Sequence, residues 1–243
     1  MGCGGPSQPS SNPGPGTNPP GPSVAPLRML VLTATYGFRH DSIPTARQVL
    51  AQLAAQTGEF TVTATEDVSE ITADRLKSVD ILFFALTTGE LPFSDAQKKA
   101  ILDFVDAGGG FMGAHSATDT LYDWADYGRL VGAYFKEHPW TQEATVTVEG
   151  GSHPATRDLG ASFRLMDEFY TFRDNPRGRV QVLLSLNAAS VGATGDYPLA
   201  WAQPFGQGRS FYTALGHFQS TWTDPRYQSH LIGAIRWVGK RAS

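Results

Sequence analysis

A histidine stands where the sequence predicts a sharp turn after a buried strand. Residues 108–119 read Gly-Gly-Gly-Phe-Met-Gly-Ala-His-Ser-Ala-Thr-Asp, so small residues flank His115 on both sides. In nucleophile elbows, the pattern Gly-x-nucleophile-x-small places Ser or Cys at this point for attack on a carbonyl carbon. An imidazole can instead bind a metal, transfer a proton or hydrogen-bond a sugar, and it rarely acts as an acyl-transfer nucleophile. The pattern therefore predicts a reactive centre at His115 whose chemistry is not acyl transfer.

Two more of the six histidines follow apolar, strand-like runs. His40 lies in a polar turn after the first run, and His217 follows Gly216 at the end of a later one. With Glu168, the three histidines His40, His115 and His217 would suffice to hold a divalent metal such as zinc, leaving one position open to substrate. No short spacing such as His-x-x-x-His supports a metal. The alternative is metal-free acid/base catalysis by His115, His217 and Glu168.

Further candidates lie in the same turns or in the aromatic segment around Glu168. Asp119, four residues after His115, is expected either to orient that imidazole as a catalytic partner or to cap the following turn. The substrate-binding candidates each offer an aromatic face or a polar group near a predicted strand end, or in the aromatic segments beside one. They are Tyr36, Arg39, His40, Thr88, Tyr170 and Trp222.

The other three histidines are assigned structural roles. His138 and His153 each precede a proline, which restricts the backbone of the residue before it and favours an anchoring role in an extended loop. His230 lies in the last amphipathic helical pattern, where a buried histidine is usually part of the core.

The first half of the chain alternates predicted strands and helices, which is typical of a parallel sheet covered on both faces. In such sheets, ligands bind beyond the carboxyl ends of the strands, which is where the candidate histidines fall. The predicted strands cover residues 28–35, 60–65, 80–86 and the apolar run before His115; the predicted helices cover residues 42–56, 71–77 and 94–107, the last with Ser94 as N-cap.

The second half has fewer helical patterns and more aromatic, Gly- and Pro-rich segments. Strands are predicted over residues 141–149, 179–186, 199–202 and 209–215, and a closing helix over residues 227–240. Long loops between these strands are expected to be insertions that cover the carboxyl edge of the sheet, rather than a second domain.

Composition limits the classes of partner. The chain has 243 residues, 41% of them hydrophobic, which suits one domain with a full core. A formal net charge of -4 argues against a nucleic-acid partner, because such surfaces concentrate Lys and Arg, and it leaves a small molecule as the expected ligand. No apolar run reaches the roughly 18 to 20 residues that a membrane-spanning helix needs. The single cysteine, Cys3, excludes an intrachain disulfide.

Residues 1–27 differ in composition from residues 28–243. They contain no charged residue and are rich in Pro, Gly and Ser, which predicts a disordered tether preceding one folded domain. The start Gly2-Cys3-Gly4-Gly5 resembles a mature bacterial lipoprotein, although the apolar signal segment is absent from this chain. We therefore expect a bacterial extracytoplasmic protein whose membrane contact is a lipidated Cys3. The alternative is an ordinary low-complexity or cloning tail.

Many short motifs, in one order over residues 28–239, resemble the ThuA-like family, which is named for trehalose utilisation and has a class I glutamine amidotransferase-like fold. The resemblance implies a flavodoxin-like, doubly wound, mostly parallel α/β sheet. Tyr197-Pro198 departs from the family, which usually has His-Pro there. The matching segments are GFRHDSI (37–43), TTGE (87–90), GGGFMGAHSATD (108–119), YDWADYGRLVGAYFKEHP (122–139), HPAT (153–156), DEFYTF (167–172), AW-Q (200–203) and GRSFYTALGH (208–217).

The resemblance also implies what the site has lost. Class I amidotransferases carry an elbow cysteine and a His-x-Glu pair, whereas this chain has His115 and His217-Phe218-Gln219 at those places. Glutaminase activity is therefore not expected. The family implies sugar catabolism, and we expect a lyase, isomerase or hydrolase that acts on a glycoside or 3-keto sugar through His115, His217 and Glu168. The alternative is a non-catalytic sugar-binding lipoprotein with a degenerate amidotransferase-like pocket.

Overall fold

One mixed sheet of nine strands organises the computed structural model, which describes residues 1–5 and 25–243. The prediction of a disordered tether falls largely on residues 6–24, outside the described ranges. The strand order is β2-β1-β3-β4-β9-β8-β7-β5-β6. The strands are β1 (Leu27–Leu32), β2 (Phe60–Thr65), β3 (Ile81–Ala85), β4 (Gly110–Ala114), β5 (Phe135–Val148), β6 (Ser162–Phe172), β7 (Gln181–Leu186), β8 (Pro198–Phe205) and β9 (Gly208–Thr213).

Five strands form the parallel half, β2-β1-β3-β4-β9, which has the 2-1-3-4-5 order of flavodoxin-like folds. Every residue of β3 and β4 is buried, as expected for central parallel strands with helices over both faces. The predicted α/β class and mostly parallel sheet are confirmed. The helices are α1 (Ile43–Thr57), α2 (Ala73–Leu76), α3 (Asp95–Asp106), α4 (Ala125–Val131), α5 (Gln219–Thr223) and α6 (Pro225–Val238).

The antiparallel half corrects the prediction of loop-rich insertions. β5 begins at Phe135, where a loop is predicted up to residue 140, and it pairs with β6, a strand that the sequence pattern does not predict. The adjacent charged residues Asp167 and Glu168 interrupt the apolar alternation of β6, yet both are buried. They can occupy a strand interior because other groups of the protein satisfy them, which sequence periodicity cannot reveal. Much of the expected loop is therefore an antiparallel extension of the sheet.

The ends of the helices follow local signals. Ser94 caps α3, as predicted, and it also forms a capping box with Gln97. The Asp224 side chain accepts the backbone N–H of Arg226 at the start of α6. α1 ends at Gly58, whose φ of 65° is in the left-handed region. No helix among the described residues is long and apolar enough to span a membrane.

Two buried histidines join the segment at residues 150–160 to α6. The backbone N–H of Ala155 donates to Nδ1 of His153 over 3.1 Å. Nδ1 of His230 donates to the carbonyl of Ala155 over 2.8 Å. Burial lowers the pKa of each histidine to about 4. These contacts support the structural roles predicted for both residues.

Candidate functional site

His115 lies at the end of β4 in a strained backbone conformation. Its φ is 52°, in the left-handed region that non-glycine residues rarely adopt, and it opens a 3-10 turn that runs to Thr118. A Cβ at Gly113 would lie 3.1 Å from the Tyr212 ring and 3.2 Å from the Ala117 side chain, so the glycine permits close packing behind the turn. Backbone strain of this kind persists where surrounding contacts enforce it, and it is the feature that defines an elbow.

The carbonyl of Ala214 fixes the tautomer of His115. This oxygen lies 2.8 Å from Nδ1 and can only accept, so Nδ1 carries the proton and Nε2 carries a lone pair. Nε2 receives the Tyr170 hydroxyl at 2.9 Å and lies 3.3 Å from Nδ1 of His217. Asp119, predicted to orient His115, instead accepts the hydroxyl of Tyr122, so the orienting group for the imidazole is a main-chain carbonyl.

Glu168 joins the histidines through both of its carboxylate oxygens. Oε2 lies 3.5 Å from Nε2 of His115 and 3.3 Å from Nδ1 of His217, and Oε1 lies 3.2 Å from Nδ1 of His138. Burial alone would raise the pKa of Glu168, but its interactions with the imidazoles of His115 and His217 outweigh it and hold the pKa well below its ordinary value. The hydrogen bond to Glu168 raises the pKa of His217.

His40 completes the group from the loop after β1. It is 4% exposed, and its ring meets those of His115 and His217 edge-on, with centroids 4.7 and 5.2 Å apart. Burial, followed by the nearby imidazoles, lowers the pKa of His40 to about 3. The ring is therefore neutral at physiological pH and has a lone pair to offer.

These four residues can hold a metal ion. One ligand atom from each of His40, His115, Glu168 and His217 lies within 4.8 Å of the other three. Tetrahedral zinc with bonds of about 2.0–2.1 Å would separate its ligands by roughly 3.3 Å, close to the shorter distances here. Nitrogen and carboxylate donors suit zinc, and the carbonyl bound to Nδ1 of His115 is the usual outer contact of a metal-binding histidine.

Asp167 supports the turn that carries His217. Its carboxylate accepts the backbone N–H groups of Gly216 at 2.9 Å and His217 at 3.0 Å, and the Thr221 hydroxyl at 3.2 Å. Gly216 has a φ of 127°, which a residue with a side chain would rarely adopt. From sequence, Glu168 is named as a candidate and its neighbour Asp167 is not. The pairing of β6 with β5 places Asp167 under this turn, and no local sequence pattern predicts that pairing.

Two residues predicted to bind substrate are structural instead. Trp222 is fully buried, and its indole N–H donates to the carbonyl of Gly216 over 2.8 Å, so it belongs to the core. Thr88 is fully buried, and its hydroxyl donates to the carbonyl of Phe38 over 2.8 Å, so it fixes the loop before His40. Burial leaves neither side chain accessible to a ligand.

The other predicted binding residues have mixed placements. Tyr170 is buried against His115, where its hydroxyl can orient the imidazole. Arg39 forms an ion pair with Glu66 over 2.8 Å, while Tyr36 is 60% exposed near the site. His138, interpreted from sequence as an anchor, reaches Glu168, and the pairing of β5 with β6 is what brings it there.

A cavity of about 360 Å³ opens beside the cluster. His217 is the one member of the four-residue cluster that lines it, together with Phe38, Asp41, Ser42, Phe218, Gln219 and Ser220. A larger cavity, of about 600 Å³, lies at the opposite edge of the sheet near Leu27, Asp80 and Gly109, far from the imidazoles. The smaller cavity is therefore the one that gives a ligand access to the reactive groups.

Comparison with solved structures supports the fold. A ThuA-like protein from Bacteroides uniformis has a TM-score of 0.75 at 25% identity, with 91% of this chain and 95% of that chain covered. A ThuA-like protein from Parabacteroides merdae has a TM-score of 0.73 at 19% sequence identity, with 89% of this chain and 91% of that chain covered. An exo-beta-1,4-mannosidase from Opitutaceae bacterium strain TAV5 has a TM-score of 0.51 at 16% sequence identity, with 88% of this chain and 36% of that chain covered.

The sequence itself also matches a family model. The model is ThuA, described as trehalose utilisation, and the match covers residues 28–238. A search of curated proteins finds no match. The family model spans nearly the whole of the predicted domain, and the two ThuA-like structures share its architecture. The chain therefore belongs to the ThuA family of trehalose utilisation, which associates it with sugar metabolism.

Proposed function

We propose that this protein is an enzyme of sugar metabolism in which His40, His115 and Glu168 bind a divalent cation and His217, beside them, transfers protons on a glycoside or 3-keto sugar. The observation that carries the proposal is the convergence of three imidazoles and one carboxylate within 4.8 Å at the carboxyl edge of the parallel sheet. The trehalose utilisation family supports the sugar as substrate.

His217 is the acid/base group that reaches the substrate in this proposal. It lines the cavity, whereas His115 is fully buried, and Glu168 stabilises its protonated form. An imidazole whose protonated form is stabilised in this way can both accept and return a proton near neutral pH. His115, whose Nδ1–H is held by a carbonyl, keeps its orientation throughout.

A 3-keto sugar suits this set of groups because the C–H bond beside its carbonyl is acidic. His217 removes that proton, and the electron pair moves onto the carbonyl oxygen. A cation held by His40, His115 and Glu168 would stabilise the negative charge there, while His217 stays free to carry the proton. Return of the proton to the former carbonyl carbon, with transfer of the adjacent hydroxyl proton to the former carbonyl oxygen, completes an isomerisation. Departure of the glycosidic oxygen from the next carbon, with the proton returned to it by His217, completes an elimination. Neither route needs a nucleophile. We expect no glutaminase activity, because His115 stands where amidotransferases have the elbow cysteine.

A turnover assay tests the proposal. The full chain is incubated with glucosides and their 3-keto forms and with added Zn²⁺, Mn²⁺ or Mg²⁺, and the products are followed by mass spectrometry. We expect turnover that His217→Gln lowers by about 10²–10⁴-fold, the usual contribution of an acid/base group. His153→Gln, which changes a histidine outside the cluster, should leave turnover within about twofold of wild type. Binding of the sugars without any turnover would contradict the proposed enzymatic activity and favour a non-catalytic sugar-binding protein.

A further inference from the structure

Exposed aromatic side chains are concentrated in one loop beside the cluster. Among the described residues, the exposed large hydrophobic side chains are Met1, Tyr36, Phe38 and Met166. Tyr36 and Phe38 both belong to the loop that carries His40, and Phe38 is 65% exposed. Single exposed hydrophobic residues are common on proteins, but two exposed aromatic residues in one loop beside a cluster of reactive groups indicate a binding surface.

The loop holds Phe38 in a defined position. The Thr88 hydroxyl donates to the carbonyl of Phe38, and the backbone N–H of Gly37 donates to the same hydroxyl over 3.2 Å. A Cβ at Gly89 would lie 2.8 Å from the carbonyl carbon of Tyr36, so the loop packs directly onto the backbone after β3. The Phe38 ring meets His40 edge-on with centroids 4.8 Å apart. A buried threonine and a glycine therefore fix an aromatic ring that solvent can reach.

The same ring forms one wall of the 360 Å³ cavity that reaches His217. Phe218 is a second apolar wall, and Asp41, Gln219 and Ser220 supply a carboxylate, an amide and a hydroxyl at the edge. An aromatic face with such polar groups around it matches a pyranose, which has apolar C–H faces and hydroxyl groups around its rim. The volume is at the low end of the range for small-molecule sites.

We propose that the part of this cavity lined by Phe38 and Gln219 is a second sugar subsite, which holds the ring next to the one that reacts at His217, with Phe38 as its stacking platform. The inference rests on the proposed function, because the reacting ring must contact His217. It narrows the substrate to a glycoside with at least two sugar rings. A free monosaccharide or a methyl glycoside would leave Phe38 and Gln219 without a partner.

Calorimetric titration of the full chain tests the subsite. The ligands are trehalose, maltose and cellobiose with their 3-keto forms, compared with glucose, the methyl glucosides and octyl glucoside. We expect at least one two-ring sugar to bind about tenfold more tightly than its methyl glycoside. Phe38→Ala should weaken that sugar by roughly three- to tenfold without changing the methyl glycoside, and Phe38→Tyr should restore most of the affinity. Met166→Ala, an exposed residue on β6, is the matched control and should change neither.

Four results would overturn the subsite. They are equal affinity for one- and two-ring sugars, no loss with Phe38→Ala, tighter binding of octyl glucoside than of any disaccharide, and no binding of any sugar in the set. The outcome is separable from that of the turnover assay. Sugar binding that depends on Phe38 but is not followed by turnover would support the subsite and contradict the proposed enzymatic activity. Turnover of methyl glycosides and disaccharides at equal rates, unaffected by Phe38→Ala, would retain the enzyme and reject the subsite.

Discussion

At the scale of single residues, the site depends on where protons are held. Nε2 of His115 presents a lone pair toward Glu168 and His217, because the Ala214 carbonyl keeps the proton on Nδ1. A lone pair and a carboxylate oxygen 3.5 Å apart attract positive charge, which can be a proton on His217 or a metal ion. The proton and the metal ion compete for the same atoms, Nε2 of His115 and the Glu168 carboxylate. Metal binding should therefore release protons, and metal affinity should fall in acid.

Asp167 should act on the site through the turn that it supports. Asp167→Asn keeps the shape but turns one acceptor into a donor facing backbone N–H groups, which misplaces His217. We expect metal affinity or turnover to fall by about 10–100-fold, as for outer-shell partners of metal ligands. Asp119→Asn is the matched control, because this partly buried carboxylate contacts Tyr122 and not the His217 turn. Equal losses of activity in the two variants, at equal thermal stability, would contradict the positioning role.

The sequence predicts part of this site and misses the rest for a physical reason. His40, His115 and His217 are found because each follows a strand of the parallel half, and the carboxyl ends of such strands share one edge. The contacts of His138 and Asp167 depend on β6, whose pattern is hidden by its own buried charges. The exposure of a side chain, which is absent at the predicted Trp222 and high at Phe38, a residue that was not predicted, is set by packing between distant segments.

At the scale of elements, α6 closes the domain against the segment at residues 150–160. Gly233 is needed for this contact, because a Cβ there would overlap the backbone of Pro154 and Ala155. His153 and His230 both contact Ala155, and the pKa of each is lowered to about 4 by burial. The element contact is therefore sensitive to acid.

Stability should fall as these histidines are forced to take up protons. Below pH 6.5 the unfolded chain binds protons that the folded chain does not, so the free energy of unfolding decreases as pH falls toward 4. His230→Asn keeps a donor for the Ala155 carbonyl but cannot titrate. Urea unfolding between about pH 7.5 and 4.5 should show that the variant loses about 2–3 kcal/mol less than wild type. An identical pH dependence in both proteins would contradict this role for His230.

At the scale of the whole molecule, residues 28–238 match the family model and contain almost all of the core. The boundary expected after residue 27 is one residue too late, because Leu27 is the first residue of β1 and is buried. We propose that the residues before β1 tether the domain and that Cys3 carries a lipid when a signal segment precedes it, which would place the protein outside the cytoplasm. Mass spectrometry of the membrane fraction, after expression behind a bacterial lipoprotein signal, should find Cys3 diacylated. An unmodified Cys3 in the soluble fraction would contradict the tether.

Removal of residues 1–24 should leave the domain intact. The core begins at Leu27, and the contact of Ala25 with Arg241 is retained in such a variant. We expect its melting temperature to stay within about 2 °C of the full chain, since none of the core residues that the structure describes is lost. A larger decrease, measured by calorimetry, would show that the N-terminal segment contributes to the fold.

Metal titration of the chelator-treated full chain tests the proposed site most directly. Isothermal titration with Zn²⁺ and Mn²⁺ should show one cation per chain, with release of protons, and His115→Ala or Glu168→Gln should abolish it. His153→Gln should bind as wild type does, because this histidine lies outside the cluster. Absence of binding to the wild-type chain, or binding that survives both cluster substitutions, would contradict a metal site at His40, His115 and Glu168.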